Sequence, residues 1–279
     1  MKTILIPVDF SETSTNALKY IAELIKDIEI ERIILLKSFY KSVYEQLLPS
    51  PDFIQLSAED IQNERNAINA QLQSLTESLL KKCNPSIKIK TAVSELPLLR
   101  SVHQLIEDEH PDLLVLGSDN LSQQTASYIG QHVISIARTS PVPVLIIPAD
   151  VTYQKIKKAL VPCDFATVSR LSILKGLHSP LAWIHPELMV LNIDPQQKHI
   201  SHEEEHAGML NELLEDYSYG IYYAEDQDTV TEILKFARAN EVQLITALPG
   251  KHSFFYNFTH SSTTKALAMN SSEPVLILK

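Results

Sequence analysis

Short apolar runs recur through the first half of the chain at 2–7, 31–37, 86–92, 112–117 and 143–147. Runs this short, rich in Ile, Leu and Val and closed by Pro, Ser or Asp, predict buried β-strands. Helical patterns separate them, over 12–26, 56–82, 95–109 and 125–138. Ser11 and Ser94 stand where N-caps are expected, with Pro97 in the first turn behind Ser94. The strands do not alternate apolar with polar residues, and helices lie between them. That combination predicts a parallel sheet covered on both faces.

The second half repeats the plan, with strands at 157–162, 188–193, 220–224, 243–247 and 274–278 and helices at 168–182, 202–217, 227–240 and 260–270. The repeat is visible residue by residue. ILIPVDF (4–10) returns as ALVPCDF (159–165), an offset of 155. PDLLVL (111–116) returns as VQLITA (242–247), and SPVPVLII (140–147) as SSEPVLIL (271–278), both at an offset of 131. The second half is therefore a copy lacking about 24 residues, taken mostly from the helix before its third strand. The chain divides at 1–150 and 151–279 into two tandem α/β domains, each an open five-stranded parallel sheet. The joint near 148–153 is brief, so the two are expected to pack against each other.

Composition narrows the partners. Of 279 residues, 44% are hydrophobic and 21% charged, enough apolar material for full cores. The formal net charge of -10 disfavours nucleic acid and anionic membrane surfaces. The two cysteines, Cys83 and Cys163, imply no disulfide framework and fit a reducing cytoplasm. The apolar opening is broken by Pro7 and Asp9 and does not read as a signal peptide; no apolar run is long enough to span a membrane.

In an open parallel sheet, ligands sit beyond the carboxyl ends of the strands where the strand order switches. Two loops qualify: Pro7-Val8-Asp9-Phe10-Ser11, and Gly117-Ser118-Asp119-Asn120 running on to Gly130. Glycine lets a backbone approach phosphate closely, and a helix N-terminus offers free N–H groups.

The opening ILIPVDFSETSTNAL, the segment PDLLVLGS and the closing SPVPVLII, each with its echo, make the chain resemble a tandem universal stress protein over nearly its whole length. The resemblance implies an adenine nucleotide alpha hydrolase-like, Rossmann-like fold. In nucleotide-binding members a loop G-x2-G-x9-G-[ST] follows strand four, and an aspartate ends strand one. Carried over, Asp9 stands at that aspartate and would face the nucleoside. Gly117 and Gly130 keep the first and third glycines at the family spacing. Asn120 replaces the second, a mild change because Asn tolerates left-handed backbone. Gln131 replaces the hydroxyl residue, removing one phosphate hydrogen bond worth ~1–2 kcal/mol. In the second half Asp164 is retained, but Leu248, Lys251 and Ser261 stand in place of the glycines, and only Ser262 survives. The resemblance thus implies ATP or another adenine nucleotide, with Mg²⁺, as a regulatory ligand of the first half. It also implies a structural second half and an intramolecular pseudo-dimer in which 274–278 lies against 143–147. Self-association into a homodimer and unidentified protein partners remain open.

Other readings stay beside this one. If Asn120 and Gln131 close the pocket, the chain is an interaction scaffold that binds no nucleotide. His202-Glu203-Glu204-Glu205-His206 fits H-E-x-x-H, which could grip zinc through His202 and His206. Its place on a shortened surface crossover favours a solvated acidic face instead. There is no G-x-S-x-G elbow and no G-x-x-x-x-G-K-[ST] loop, and no positioned base or Mg²⁺ carboxylate is evident, so at most slow ATP hydrolysis is expected.

Overall fold

The computed structural model describes residues 2–40, 58–119, 128–163, 174, 180–193, 203–225, 228–247 and 271–279. Ten strands form one sheet in the order β3-β2-β1-β4-β5-β10-β9-β6-β7-β8. The first five are β1 (Thr3–Pro7), β2 (Arg32–Ser38), β3 (Lys88–Ser94), β4 (Leu113–Ser118) and β5 (Val144–Pro148). The others are β6 (Lys158–Pro162), β7 (Glu187–Ile193), β8 (Tyr219–Ala224), β9 (Leu244–Ala247) and β10 (Val275–Ile277). Each set of five is parallel within itself.

The crossover helices of the first half are α1 (Glu12–Leu24), α2 (Ala58–Leu80), α3 (Leu98–Glu109) and α4 (Tyr128–Thr139). Side chains of successive strand residues go to opposite faces of the sheet. Ile4, Ile6, Ile33 and Leu35 pack with Ala17, Leu18 and Ile21 of α1 and Leu72 of α2. Leu5, Ile34 and Leu36 pack with Val102 and Ile106 of α3 and Val133 and Ile136 of α4. Both faces being dry explains why these strands read as unbroken apolar runs. The second half supplies a short helix α5 (Leu181–Ile184), then α6 (Glu203–Leu213) and α7 (Thr229–Ala239). Beyond 181–184, the predicted helix over 168–182 lies almost wholly outside the described residues, and the one over 260–270 lies wholly outside them.

The repeat seen in the sequence is a repeat of register. Ile4 pairs with Ile33, and Ala159 with Leu188, both shifted by 155. Leu114 pairs with Val144, and Ile245 with Val275, both shifted by 131. In the third strand Ile89 opposite Ile33 corresponds to Tyr219 opposite Leu188, a shift of 130. The shortening therefore falls between β2 and β3, as expected, and one residue is regained between β3 and β4.

The halves join antiparallel. Leu276 faces Leu145, with Val275 opposite Ile146 and Ile277 opposite Val144. Leu145 and Leu276 are equivalent under the 131-residue repeat, so the pairing is self-complementary about them, as in a two-fold dimer contact. Because the join is antiparallel, the carboxyl ends of β1 and β4 open on one edge of the sheet and those of β6 and β9 on the other.

The segment joining β5 to β6 is strapped to α1. Asn16 Nδ2 donates to the carbonyls of Pro148 (3.1 Å) and Val151 (2.9 Å). The Tyr153 ring stands edge-on to Tyr20 with centroids 5.1 Å apart, and its hydroxyl donates to Asp27 at 2.5 Å. Lys279 Nζ donates to the Ala137 carbonyl at 2.7 Å, in the last turn of α4.

Two expectations need correction. Ser94 is not an N-cap: it ends β3, and α3 begins at Leu98 behind Pro97, which makes no side-chain cap bond. The Ser94 hydroxyl instead accepts the Leu96 N–H at 3.2 Å, closing a local turn. Gly117 is not a loop residue: it lies inside β4, opposite Ile147.

Candidate functional site

The strand order turns between β1 and β4, so the crevice at their carboxyl ends is the expected ligand position. Past Pro7 the chain stays latched to β2 for one more residue, the Val8 N–H donating to Leu36 O at 2.8 Å. Phe10 then takes a left-handed backbone, φ 65°. That conformation is uncommon for a bulky residue, and the turn it makes swings the chain from β1 straight into α1. Ser11 caps α1, its hydroxyl accepting the Ser14 N–H at 3.1 Å as sequence indicated.

This turn presents the Asp9 carboxylate. One oxygen accepts the Ser11 N–H at 3.1 Å and the Ser11 hydroxyl at 2.5 Å. The other accepts the N–H of Ile129 at 3.1 Å, in the first turn of α4. Burial pushes the Asp9 carboxyl up, but the hydrogen bonds from Ser11, Ile129 and Ser14 outweigh it and hold the group below its ordinary value. Asp9 is an anion at the positive end of a helix.

Lys37, near the end of β2, places its ammonium 5.1 Å from the Phe10 ring centroid. Burial draws it below the usual lysine value, opposed by the negative charges of Asp9 and Glu64. A second carboxylate closes the other side. Asp119, directly after β4, is buried, and its side chain accepts the Thr13 hydroxyl from the first turn of α1. Sequence reading named Asp119 only as a member of the loop Gly117-Ser118-Asp119-Asn120 and passed over Thr13 and Lys37, which belong to no spaced motif. The signal for Asp119 was its place two residues after the strand-four glycine.

Gly117 has a packing reason of its own. A Cβ built there would lie 2.7 Å from the Thr13 carbonyl oxygen and 3.0 Å from its carbon. The backbone of α1 rests on β4 where only glycine fits. Gly130 is buried in the first turn of α4. Asp9, Gly117 and Gly130 thus come together at the mouths of β1 and β4. Asn120 lies outside the described residues, as does the side chain of Gln131, whose backbone belongs to α4.

In the second half the latch is reproduced: Cys163 N–H donates to Leu191 O at 2.9 Å, the counterpart of Val8 and Leu36. Cys163 is buried, as a packing residue should be. Asp164, Ser261 and Ser262 lie outside the described residues. His202 does too, and so does the side chain of His206 on α6. Among the described residues no group of three or more His, Cys, Asp or Glu could hold a metal ion. Among them, too, no helix is long and apolar enough to cross a membrane.

Comparison with known proteins fits this geometry. Residues 1–148 match the model of the Universal stress protein family. A universal stress protein of Methanocaldococcus jannaschii is 26% identical over 153 residues, covering 52% of this chain and 94% of that protein. A universal stress protein structure from Archaeoglobus fulgidus superposes with a TM-score of 0.68 at 16% identity, covering 99% of this chain and 98% of the other. A structure from Pseudomonas aeruginosa described as a universal stress protein gives 0.57 at 14% identity, covering 100% and 93%. At such identities these two likenesses speak for the fold across the whole length.

Proposed function

The chain belongs to the universal stress protein family, and from that premise we propose that its first half binds an adenine nucleotide as a regulatory ligand. The site is the crevice between the ends of β1 and β4, with Asp9, Gly117, Asn120, Gly130 and Gln131 around it. The observation that supports this reading is the meeting of Asp9 with the N-terminal turn of α4 at the switch in strand order. An ionised carboxylate only accepts hydrogen bonds. It is therefore suited to the amino group of adenine or the hydroxyls of ribose. Residues 1–150 and 151–279 would be two domains of one type, the second serving as the structural partner that makes one chain stand in for a dimer. Mg²⁺ would accompany a polyphosphate ligand, and the cytoplasm is the compartment in which free Cys83 and Cys163 are at home.

A second reading is an interaction scaffold that binds no nucleotide. It is favoured by the contact of Gly117 with Thr13 and by the internal partners of Asp9, which account for both residues without a ligand. Calorimetric titration of the full chain with adenosine, AMP and ATP, with and without Mg²⁺, decides between them. Hydrogen exchange would locate any binding. Heat accompanied by slowed exchange at 8–14 and 128–132 supports the nucleotide reading. Absence of heat and of any thermal shift at millimolar ligand overturns it in favour of the scaffold.

A further inference from the structure

The sheet ends in β3 on one side and β8 on the other, and among the described residues each pairs with a strand on one side only. An open edge is a template for another strand unless something blunts it. The Leu188 N–H donates to Ser218 O at 2.8 Å, so alternation along β8 turns the backbone groups of Tyr219 and Ile221 away from β7. The Lys88 N–H donates to Glu31 O at 2.9 Å, which turns those of Ile89 and Thr91 outward in β3.

The two edges differ in cover and in charge. The helix before β3, α2, has 23 residues, whereas the one before β8, α6, has 11. Residues 81–94 hold four Lys and no Asp or Glu. Of these Lys90 is paired with Glu109 at 2.6 Å, and Lys88 stands exposed at the start of β3. The other edge is the reverse. Residues 199–234 hold ten Asp and Glu and no Lys or Arg. The chain has 34 acidic residues, so 24 remain outside this stretch and balance the 24 Lys and Arg. The whole net charge of -10 thus belongs to the stretch containing α6, β8 and the start of α7. Under the repeat Lys88 and Lys90 correspond to Ser218 and Gly220, so β8 lacks the lysines that blunt an edge.

We propose that the β8 edge takes the β3 edge of a second copy of this chain, so that the sheet continues from one molecule into the next. A copy in the same orientation lays its β3 antiparallel to β8, because the two halves join antiparallel. That pairing brings Lys88 of one copy to the Ala224–Glu225 end of β8 in the other. Opposite charge draws the edges together, and backbone N–H and C=O groups supply the bonds. Pairing of β8 with another β8 would instead bring two acidic stretches together. The contact is heterologous, so it does not close at two copies, and further chains add at either end. Ionic strength controls it, because the attracting charges are exposed. Neither edge belongs to the crevice at β1 and β4, so the association is independent of the nucleotide reading.

The test is analytical ultracentrifugation of the full chain over a concentration series at low and high salt. At low salt the average mass should rise past two copies as concentration increases. The association constant should fall about ten-fold between about 0.05 M and about 0.5 M salt. Two variants each block one edge. Lys88→Glu reverses the charge on β3. Ile221→Pro removes an outward N–H of β8 and leaves the ladder to β7, as an edge strand allows. Each alone should weaken association by about ten-fold or more. Mixed together they retain one good edge apiece, so the mixture should form a single contact and stop at two copies. If Ile221→Pro loses its thermal transition, Lys88→Glu and the salt series decide. A full chain that stays a single copy at every concentration and low salt overturns the proposal. So does association that ignores both salt and Lys88→Glu, or that stops at two copies in the unsubstituted chain, which would point to β8 pairing with itself.

Discussion

The carboxylate of Asp9 accepts the backbone N–H of Ile129 at 3.1 Å, tying the turn after β1 to the first turn of α4. The bond caps a helix in trans, with an acidic residue from another element doing what an N-cap normally does from within. It also closes the crevice at the switch in strand order before any ligand arrives. The stability of that corner is therefore linked to the ionisation of one residue.

The linkage gives a pH prediction. The folded-state value of Asp9 lies below the ordinary 3.8. A depressed carboxyl stabilises the fold in full above the unfolded-state value and loses that contribution as pH falls through the folded-state value. Asp9→Asn should cost about 1 kcal/mol at pH 7, the usual scale of a helix cap. Urea unfolding at pH 7 and at successively lower pH should show wild type and variant converging only below about pH 4. A gap that stays constant down to pH 3 would mean that the charge of Asp9 is not what holds the corner.

Gly117→Ala should destabilise the ligand-free protein. The new Cβ meets a backbone carbonyl at 2.7 Å, so α1 must move off β4, at a cost of about 1–3 kcal/mol. A thermal midpoint equal to that of the wild type would show that α1 has room to spare. The same contact makes Gly117→Val a poor test of ligand binding, since it damages the scaffold and the site together.

The strap between the halves can be loosened one bond at a time. Tyr153→Phe removes the hydrogen bond to Asp27 and leaves the ring against Tyr20, for a loss of about 1 kcal/mol. Tyr153→Ala removes the ring as well and should cost roughly twice that. Chemical denaturation of both variants checks the order. Equal losses would show that the ring packing adds nothing.

At the join, Leu145→Ala and Leu276→Ala each open a cavity in the same buried layer and should cost about 2–4 kcal/mol. The two residues face each other, so the double variant should lose less than the sum, with a coupling of at least about 0.5 kcal/mol. Strict additivity in the double-mutant cycle would contradict the direct pairing of β5 with β10.

Much of this architecture was legible along the chain. All ten strands fall within a residue or two of the predicted runs; the central ones are dry on both faces and leave no room for polar residues, whereas β3 at the sheet edge carries exposed Lys88, Lys90 and Thr91. The repeat of ILIPVDF as ALVPCDF is matched in the structure by one latch made twice, Val8 to Leu36 and Cys163 to Leu191. Errors came where local preference met tertiary demand. Ser94 looks like a cap, yet the strand claims it, and the helix starts behind Pro97. Gly117 reads as the first residue of a loop, yet it lies inside β4, where the backbone of α1 at Thr13 presses against it.

By itself the sequence determined the order of elements, the duplication and the place of the shortening, because these are written in periodicity and spacing between near neighbours; the family came from the resemblance of particular segments and was shown by the match over residues 1–148. The resemblance had already implied that 274–278 lies against 143–147; the tertiary structure supplied the antiparallel register, Leu276 opposite Leu145, and with it the opening of the carboxyl ends of β1 and β4 and those of β6 and β9 on opposite edges of one sheet. Only the tertiary structure decided that the Asp9 carboxylate accepts a backbone N–H in the first turn of α4. Such contacts join residues more than a hundred positions apart. No local pattern encodes them, since they arise from how packed helices and strand register bring distant backbone groups within hydrogen-bonding reach.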